Sequence, residues 1–399
     1  MFADFSYFIN PSYLMRTIRT CILVLIGVTF FGRISAQEIT FANESLMLKK
    51  QEIVKATPVK DQGKTGTCWA FSTLSFIESE LMRMERGEYN LSEMYLVRNV
   101  YPKKAEKYVR MHGRANFSDG GLPHDVMATI SEFGIVPEEI YMGRVSEEEE
   151  HNHHELQAVL DGMLNGLIGN KEPLSKVWVN AYEGVLDAYL GKRPEEFKYN
   201  NKTYTPQTFV EKVLGFNPDD YIELTSFSDR PFYQQVMLEI PDNWSNGLYY
   251  NLPIDEMIKV MENALENGYS IVWDGDISER EFNYSKGVAT VPLKDWRNKT
   301  LDEKRNTGKV YEPEMKITQE MRQEAFITQT TTDDHLMHIV GLVQDDNRTK
   351  YYLTKNSWGR SNKLGGYIYM SEAYVMLKSI AIMVHKDALP NKIAKKLGL

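Results

Sequence analysis

The chain has 399 residues, of which 42% are hydrophobic and 25% are charged, and its formal net charge at pH 7 is −9. This acidic balance argues against nucleic acid and anionic membrane surfaces as partners. The length suffices for one large domain or for two subdomains around a cleft. Only two cysteines occur, Cys21 and Cys68, so an extensive disulfide framework is excluded.

Residues 1–36 have the pattern of a secretory signal. Arg16 and Arg19 form a basic segment, residues 20–31 are apolar, and the small residue Ala36 precedes the expected cleavage point. Loss of this segment removes three basic residues and one acidic residue, which leaves 43 Lys and Arg against 54 Asp and Glu and a net charge of −11. We therefore expect export, periplasmic or secreted; the alternative is an uncleaved signal that anchors the protein in a membrane.

Residues 61–72, with the sequence DQGKTGTCWAFS, place a cysteine directly after a glycine-containing loop. From Trp69 to Met84 apolar residues recur near helical spacing, which predicts a helix that begins at or next to Cys68. At a helix N-terminus, free N–H groups and the positive end of the helix dipole favour a thiolate. The pattern therefore indicates a nucleophile, while a buried, inert core cysteine is the alternative from these residues alone.

This stretch resembles the active-site signature of papain-like cysteine peptidases. In that family a glutamine six residues before the cysteine donates to the oxyanion, so the resemblance assigns this role to Gln62. A Gly-Gly pair in the family lies along the cleft and hydrogen-bonds the substrate backbone, and Gly120 and Gly121 match it. Without the resemblance, this glycine pair would be interpreted as an ordinary turn before a helix.

Two later segments supply the base and the orienting group that a cysteine nucleophile needs. They resemble the papain-family histidine strand, in which five residues separate the histidine from a glycine, and the family's Asn-Ser-Trp-Gly motif. Counting back from Gly341 selects His335 as the base, and His338 falls on the opposite face of the strand as a core residue. The resemblance implies that Asn356 orients the imidazole and that Trp358 shields their hydrogen bond from water.

The hydrophobic pattern changes from helical to β-type along the chain. Short runs rich in Val, Ile and Tyr follow residue 268, and they predict strands at 271–273, 338–343, 350–354, 366–370 and 379–384. Helices first and strands second indicate an α+β, papain-like fold with a cleft between the halves. Within residues 37–399 we expect a helical lip (37–139), a mostly helical insertion (140–260) and a β-rich lip (261–399).

The large insertion and the sequence VWDGDIS at residues 272–278 resemble the bleomycin hydrolase and bacterial aminopeptidase C branch of the family. In that branch the chain's own C-terminus lies in the cleft, and its carboxylate receives the substrate's amino group. The resemblance implies this role for Leu399. The tail 386–399 departs from the tail expected in that branch, and its spacing fits a short amphipathic surface helix equally well.

Residues 146–155, with the sequence SEEEEHNHHE, are dense in zinc-ligand side chains. No histidine pair has the H-E-x-x-H spacing, so a solvated, acidic helix start is the preferred interpretation. We therefore expect no metal and no other cofactor.

These observations predict a cysteine peptidase built on Cys68, His335, Asn356 and Gln62, with an aminopeptidase-like action. The alternatives are a papain-like endopeptidase, a catalytically silent papain-like protein that binds peptides, and a cysteine hydrolase of another type such as a cell-wall amidase. The expected partner is a peptide or protein substrate, with no nucleic acid and no stable membrane insertion once the signal is removed. Assembly into a homo-oligomer stays open.

Overall fold

A computed structural model of the protein describes residues 50–144, 150–307, 312–345 and 348–399, together with two short strands, Ile39–Thr40 (β1) and Ser45–Leu46 (β2). The predicted signal at 1–36 and most of the acidic run that precedes His151 lie outside the described residues. In the part of the chain that is described, no helix is long and apolar enough to cross a membrane.

Helices form one half of the unit Glu38–Leu399. The expected helix starts at Cys68, and Ser92 caps the next one by accepting a hydrogen bond from the Tyr95 N–H at 3.0 Å. Gly134 ends the third helix with φ 75°, a conformation that glycine adopts without steric cost. The helices of this half are α1 (Cys68–Arg83), α2 (Glu93–Arg110), α3 (Pro123–Phe133), α4 (His154–Gly169), α5 (Val177–Leu190) and α6 (Pro206–Phe209), which continues as a π-helical turn, Val210–Leu214.

A large mixed sheet forms the other half, and among the described residues it has eleven strands. The sheet contains the five predicted strands, although the strand predicted at 338–343 begins earlier, at His335. A separate hairpin is made by β4 (Phe197–Tyr199) and β5 (Lys202–Tyr204). The strands of the sheet are β3 (Lys50–Ile53), β6 (Tyr221–Thr225), β7 (Gln235–Met237), β8 (Leu248–Asn251), β9 (Ile271–Gly275), β10 (Phe282–Asn283), β11 (Val288–Ala289), β12 (His335–Gln344), β13 (Lys350–Lys355), β14 (Tyr367–Ser371) and β15 (Ser379–His385).

The strand order is β10-β11-β14-β13-β12-β9-β15-β6-β8-β7, and β3 also pairs with β12. The pairs β11–β14 and β6–β8 are parallel, and the other pairs of the sheet are antiparallel. The remaining helices are α7 (Ile254–Glu266), α8 (Leu301–Asn306), α9 (Gln319–Ile327), α10 (Glu372–Lys378) and α11 (Asn391–Leu397).

Residues 221–251 differ from the expected, mostly helical insertion. Helices do fill the first part of the insertion, but β6, β7 and β8 then extend the main sheet, so the β-rich half begins at residue 221 instead of 261. Each of these strands is short. The first of them, β6, joins the sheet by pairing with β15, where Thr225 lies opposite Ala381. A strand whose partner lies so far along the chain leaves little local pattern, because its backbone hydrogen bonds are formed only in the folded sheet.

The sheet separates two large hydrophobic cores, and β12 contributes to both as well as to a third, smaller cluster. Leu336 packs in the core that contains α1, whereas Met337 belongs to the core that contains α7. The C-terminal helix α11 covers this second core with Ile393 and Leu397. Of the two alternatives for the tail, a cleft anchor and an amphipathic surface helix, the structure shows the helix.

Leu399 does not take the place of an amino-group anchor. Its N–H donates to the Ala394 carbonyl at 3.0 Å within the tail itself, and its side chain is 48% exposed. Lys396 fixes the helix to α7 through an ion pair with Glu256 at 2.6 Å. Cys68 belongs to the core on the other face of the sheet, so the tail lies away from the nucleophile.

Candidate active site

The loop before α1 and the segment after β13 are joined by backbone hydrogen bonds. The Gln62 N–H donates to the Ser357 carbonyl at 2.9 Å, and the Gly359 N–H donates to the Lys60 carbonyl at 3.1 Å. These bonds bring the cysteine loop and the Asn-Ser-Trp-Gly segment together, although they lie at opposite ends of the described chain. The site therefore forms where the helical half meets the sheet.

Cys68 is the first residue of α1 and is 8% exposed. Burial raises the pKa of the thiol to about 12, although the nearby Leu336 N–H lowers it in part. Desolvation therefore opposes the thiolate that the helix start favours. The Cys68 N–H has no hydrogen-bond partner among the described groups, which leaves it available to an oxyanion.

His335 is the first residue of β12. The N–H of the next residue, Leu336, is directed at the Cys68 sulfur. The His335 Nε2 is 2.8 Å from the Asn356 Oδ1. An amide oxygen can only accept, so Nε2 carries the proton and Nδ1 is left as the acceptor. Burial lowers the pKa of His335 to about 4, against a smaller upward effect of the Asn356 hydrogen bond.

Burial raises the pKa of the thiol and lowers the pKa of the imidazole, so it disfavours the charged form of each group taken alone. Burial penalises a single isolated charge, whereas transfer of the proton from Cys68 to His335 creates two opposite charges at once. Their mutual attraction in a poorly solvated site offsets part of the desolvation cost. The geometry is therefore suited to transfer of the proton from Cys68 to His335.

Gln62 is held from both ends of its amide. Its Nε2 donates to the Thr65 carbonyl at 2.7 Å, and its Oε1 accepts a hydrogen bond from the Ser357 hydroxyl at 2.6 Å. The second Nε2 proton is free of these contacts and can be offered to an oxyanion. The sequence assigned no role to Ser357, although its place between Asn356 and Trp358 in the motif was a usable signal.

Trp358 covers the His335 ring, with the two ring centroids 4.8 Å apart and the planes 34° apart. Phe282 and Tyr284, from the β10 region, pack edge-on against the indole at 6.3 Å and 5.1 Å. The Tyr284 hydroxyl also donates to the Gly359 carbonyl at 3.1 Å. This aromatic cover keeps water from the His335–Asn356 hydrogen bond. No sequence pattern pointed to its two outer members, Phe282 and Tyr284.

His338 points to the other face of β12, into the protein interior. Its Nδ1 is 2.8 Å from the Ser75 hydroxyl, which also accepts a hydrogen bond from the Lys355 ammonium at 2.6 Å. The ring is fully buried, and this burial holds its pKa well below the ordinary value. The structure therefore places His335, and not His338, beside Asn356.

Gly121 packs against the Trp69 ring, where a Cβ would lie 3.0 Å from the indole. Its N–H and carbonyl form no hydrogen bond with any described group, so both can pair with an extended peptide. Gly120 is in a different position, because a Cβ there would overlap the Asp242 carboxyl group. The structure thus buries Gly121 with its backbone polar groups unpaired among the described residues, and it closes the outer side of Gly120.

Residues 238–247, which connect β7 to β8, form the structure that closes Gly120; we call them the covering loop. The Asn243 side chain holds the loop together, since it donates to the Leu238 carbonyl at 3.0 Å and accepts from the Gly247 N–H at 2.7 Å. The Trp244 Nε1 donates to the Asp125 Oδ2 at 2.9 Å, which docks the loop on α3. No sequence motif marked this loop, because its contacts are made with a distant helix.

The histidine-rich run is less solvated than expected. His153 is buried with its Nδ1 3.1 Å from the Tyr101 hydroxyl, and the His151 carbonyl accepts a hydrogen bond from the Lys64 N–H at 2.7 Å. The run therefore packs against the cysteine loop before α4 begins. Within the described ranges, no three His, Cys, Asp or Glu side chains are arranged to hold a metal ion.

Comparisons with known proteins agree with this architecture. Residues 189–398 match the Peptidase C1-like family, and residues 43–200 match the papain family of cysteine proteases. Aminopeptidase G of Lactobacillus delbrueckii subsp. lactis is 22% identical over 374 residues, which cover 83% of this chain and 81% of that protein. Bleomycin hydrolase of Gallus gallus is 23% identical over 390 residues, which cover 84% and 82% of the two chains.

A crystal structure of PepW from Lactobacillus rhamnosis has a similar fold, with a TM-score of 0.65 and 20% sequence identity. The likeness covers 90% of this chain and 85% of that one. The family match spans more than half of the sequence, and the chain therefore belongs to the Peptidase C1-like family. It is a papain-like cysteine peptidase with an α+β fold, which confirms the class and the branch predicted from the sequence.

Proposed function

We propose that the protein is a cysteine aminopeptidase that removes residues from the N-terminus of peptides. Cys68 acts as the nucleophile, His335 as the general base and acid, and Asn356 as the group that orients the imidazole. Gln62 and the Cys68 N–H form the oxyanion hole. The 2.8 Å contact between His335 Nε2 and Asn356 Oδ1 carries this assignment, because it leaves Nδ1 free to accept the thiol proton.

The reaction proceeds through a thioester. The Cys68 sulfur attacks the peptide carbonyl while its proton passes to His335 Nδ1, and the Gln62 amide stabilises the negatively charged oxygen. The C–N bond then breaks as His335 returns the proton to the departing amine. A water molecule, deprotonated by His335, attacks the thioester, the C–S bond breaks, and the thiol regains its proton.

The covering loop supports action at chain ends over action within chains. His335 must reach the departing amine, so the acyl side of the substrate extends past Cys68 toward Gly121. On that side the loop is seated against Gly120 through Asp242, and we infer that this contact blocks a long N-terminal extension of the substrate. Relatives named aminopeptidases align over most of this chain and agree with such an action.

Replacement of Cys68 tests the assignment. Cys68→Ala should abolish hydrolysis of a free-amino fluorogenic dipeptide amide and labelling by a cysteine-directed epoxide, with little change in melting temperature. Wild-type protein should be labelled once, at Cys68, and Ser72→Ala on the next turn of α1 serves as the control. Turnover near wild type in Cys68→Ala would refute the nucleophile, and an unlabelled wild type would favour a silent peptide binder.

We also propose that the protein is exported, with cleavage after Ala36. The basic and apolar segments before this residue support the proposal. Mass spectrometry of the protein from its native cells should find an N-terminus at Gln37 in the soluble extracytoplasmic fraction. An intact N-terminus in the membrane fraction would instead assign the segment as an uncleaved anchor.

A further inference from the structure

A pair of carboxyl groups without an ion-pair partner among the described residues lies on or beside the face of the sheet that carries the nucleophile. We propose that Asp274 and Asp333, together with Asp242 of the covering loop, bind the N-terminal ammonium group of the substrate. This inference rests on the proposed aminopeptidase action and assigns to these side chains the anchoring role that Leu399 cannot fill. We call the three residues the acid cluster.

The register of the sheet places Asp274 on the face that carries the nucleophile. Asp274 lies opposite Leu336 in the β9–β12 pair, and Leu336 packs in the same core as Cys68. Asp333 comes two residues before His335, and Asp242 lies against Gly120. The charges of all three carboxyl groups act on the Cys68 thiol, and each raises its pKa.

Asp274 is 1% exposed, yet neither of its oxygens accepts a hydrogen bond from a donor group in the described chain. Asp333 has one such donor close by, the Asp242 N–H, and the two carboxyl groups face each other. Within the described residues, no lysine, arginine or histidine forms an ion pair with Asp274 or Asp333. A buried carboxyl group such as Asp274 is normally paired, and Asp333 beside it is half-buried, so a cation that reached this pair would find acceptors.

The other polar groups around the cluster do not supply that cation. Among the described groups, the Tyr249 hydroxyl and the Glu223 Oε1 also lack hydrogen-bond partners, and Glu223 uses its other oxygen for His124 at 2.6 Å. Lys104 acts on Asp242, but its ammonium donates to the Ser118 and Gly120 carbonyls. The titratable and charged groups around the cluster are Lys104, His124, Asp125, Glu223, Tyr249 and Asp334.

The raised pKa values of the carboxyl groups agree with this lack of a positively charged partner. Burial, and then the neighbouring Asp242, raise the pKa of Asp333 to about 7, and burial with the charge of Asp333 raises the pKa of Asp274 well above its ordinary value. An arriving ammonium group would replace the shared proton as the positive partner. A metal ion is a poorer fit, because no metal-ligand cluster occurs in the described part of the chain.

Kinetics of Asp274→Asn and Asp333→Asn test the proposal, because both changes keep the shape and remove one charge. The probes are the fluorogenic amide of Ala-Ala, its N-acetyl form and N-acetyl-Lys-Ala amide. The wild type should prefer the free-amino probe. In each variant the KM for this probe should rise at least tenfold, whereas cleavage of the N-acetyl-Ala-Ala probe should stay within threefold of wild type. Asp334→Asn, an exposed neighbour of Asp333, is the matched control and should keep the wild-type preference.

Each other outcome has a distinct meaning. An unchanged preference in both variants would refute the anchor and leave the aminopeptidase proposal intact. A loss confined to the N-acetyl-Lys-Ala probe would refute the ammonium site and assign the cluster to a basic side chain. A wild type without preference for a free amino group would refute the aminopeptidase proposal and the anchor together. Melting temperatures identify a misfolded variant, and Asp333, on the segment before β12, then provides the test without disturbing β9.

Discussion

The two histidines of β12 should separate catalysis from stability. His335→Ala removes the proton acceptor, so kcat should fall by roughly 10³-fold or more, as expected when one member of a catalytic unit is lost. His338→Ala removes a fully buried ring and its 2.8 Å contact with Ser75, at a cost of about 3 kcal/mol in the free energy of unfolding. Its kcat should stay within a few fold of wild type.

The expected shift in melting temperature follows from the size of the folded unit, Glu38–Leu399. Unfolding entropies near 2.1 cal/mol/K per residue amount to about 0.8 kcal/mol/K for this unit, so a loss of about 3 kcal/mol lowers the melting temperature by about 4 °C. Calorimetry and turnover of a free-amino amide should be measured on the same samples. His338→Asn, which can restore the hydrogen bond to Ser75, is the matched control and should recover part of the loss.

The opposite pattern would refute this reasoning. If His338→Ala were inactive and His335→Ala active, the spacing that selected His335 would be wrong, and the contact with Asn356 would have no catalytic meaning. If both variants lost only stability, the imidazole would not be the base. A selective loss of kcat in His335→Ala with a small thermal shift is the result that the geometry requires.

Three further outcomes are expected. Ser357→Ala should lower kcat by about tenfold with little change in KM, because the Gln62 amide loses its 2.6 Å contact; an unchanged kcat would show that the amide needs no such support. Deletion of 389–399 should lower the melting temperature and leave the preference for free-amino probes unchanged, since the tail helix covers the far core; increased cleavage of N-acetyl probes would restore the tail as the anchor. For free-amino probes kcat/KM should rise as pH passes about 7, where Asp333 ionises, and fall above about 8, where the α-ammonium is lost; N-acetyl probes should show neither limb.

The sequence by itself determined the features that depend on local pattern. Helical spacing after Trp69 predicted α1, and the β-type runs predicted β9 and the four later strands, because burial on one face or both imposes a period on neighbouring residues. The order of the cysteine, histidine and asparagine segments was enough to identify the peptidase class. The six-position spacing from Gly341 selected His335, the histidine that the structure places beside Asn356.

The tertiary structure decided which distant segments share the cleft. The strands at 221–251 join the main sheet through the pairing of β6 with β15, and the covering loop is positioned by contacts with α3 that no local pattern records. The surroundings of Cys68 also depend on tertiary packing, since the helix start favours a thiolate and burial opposes it. Asp274 and Asp333 are distant in sequence, and only the register between β9 and β12 brings their carboxyl groups face to face. Desolvation and charge coupling depend on what packs around a group, so they follow from the folded arrangement and not from spacing along the chain.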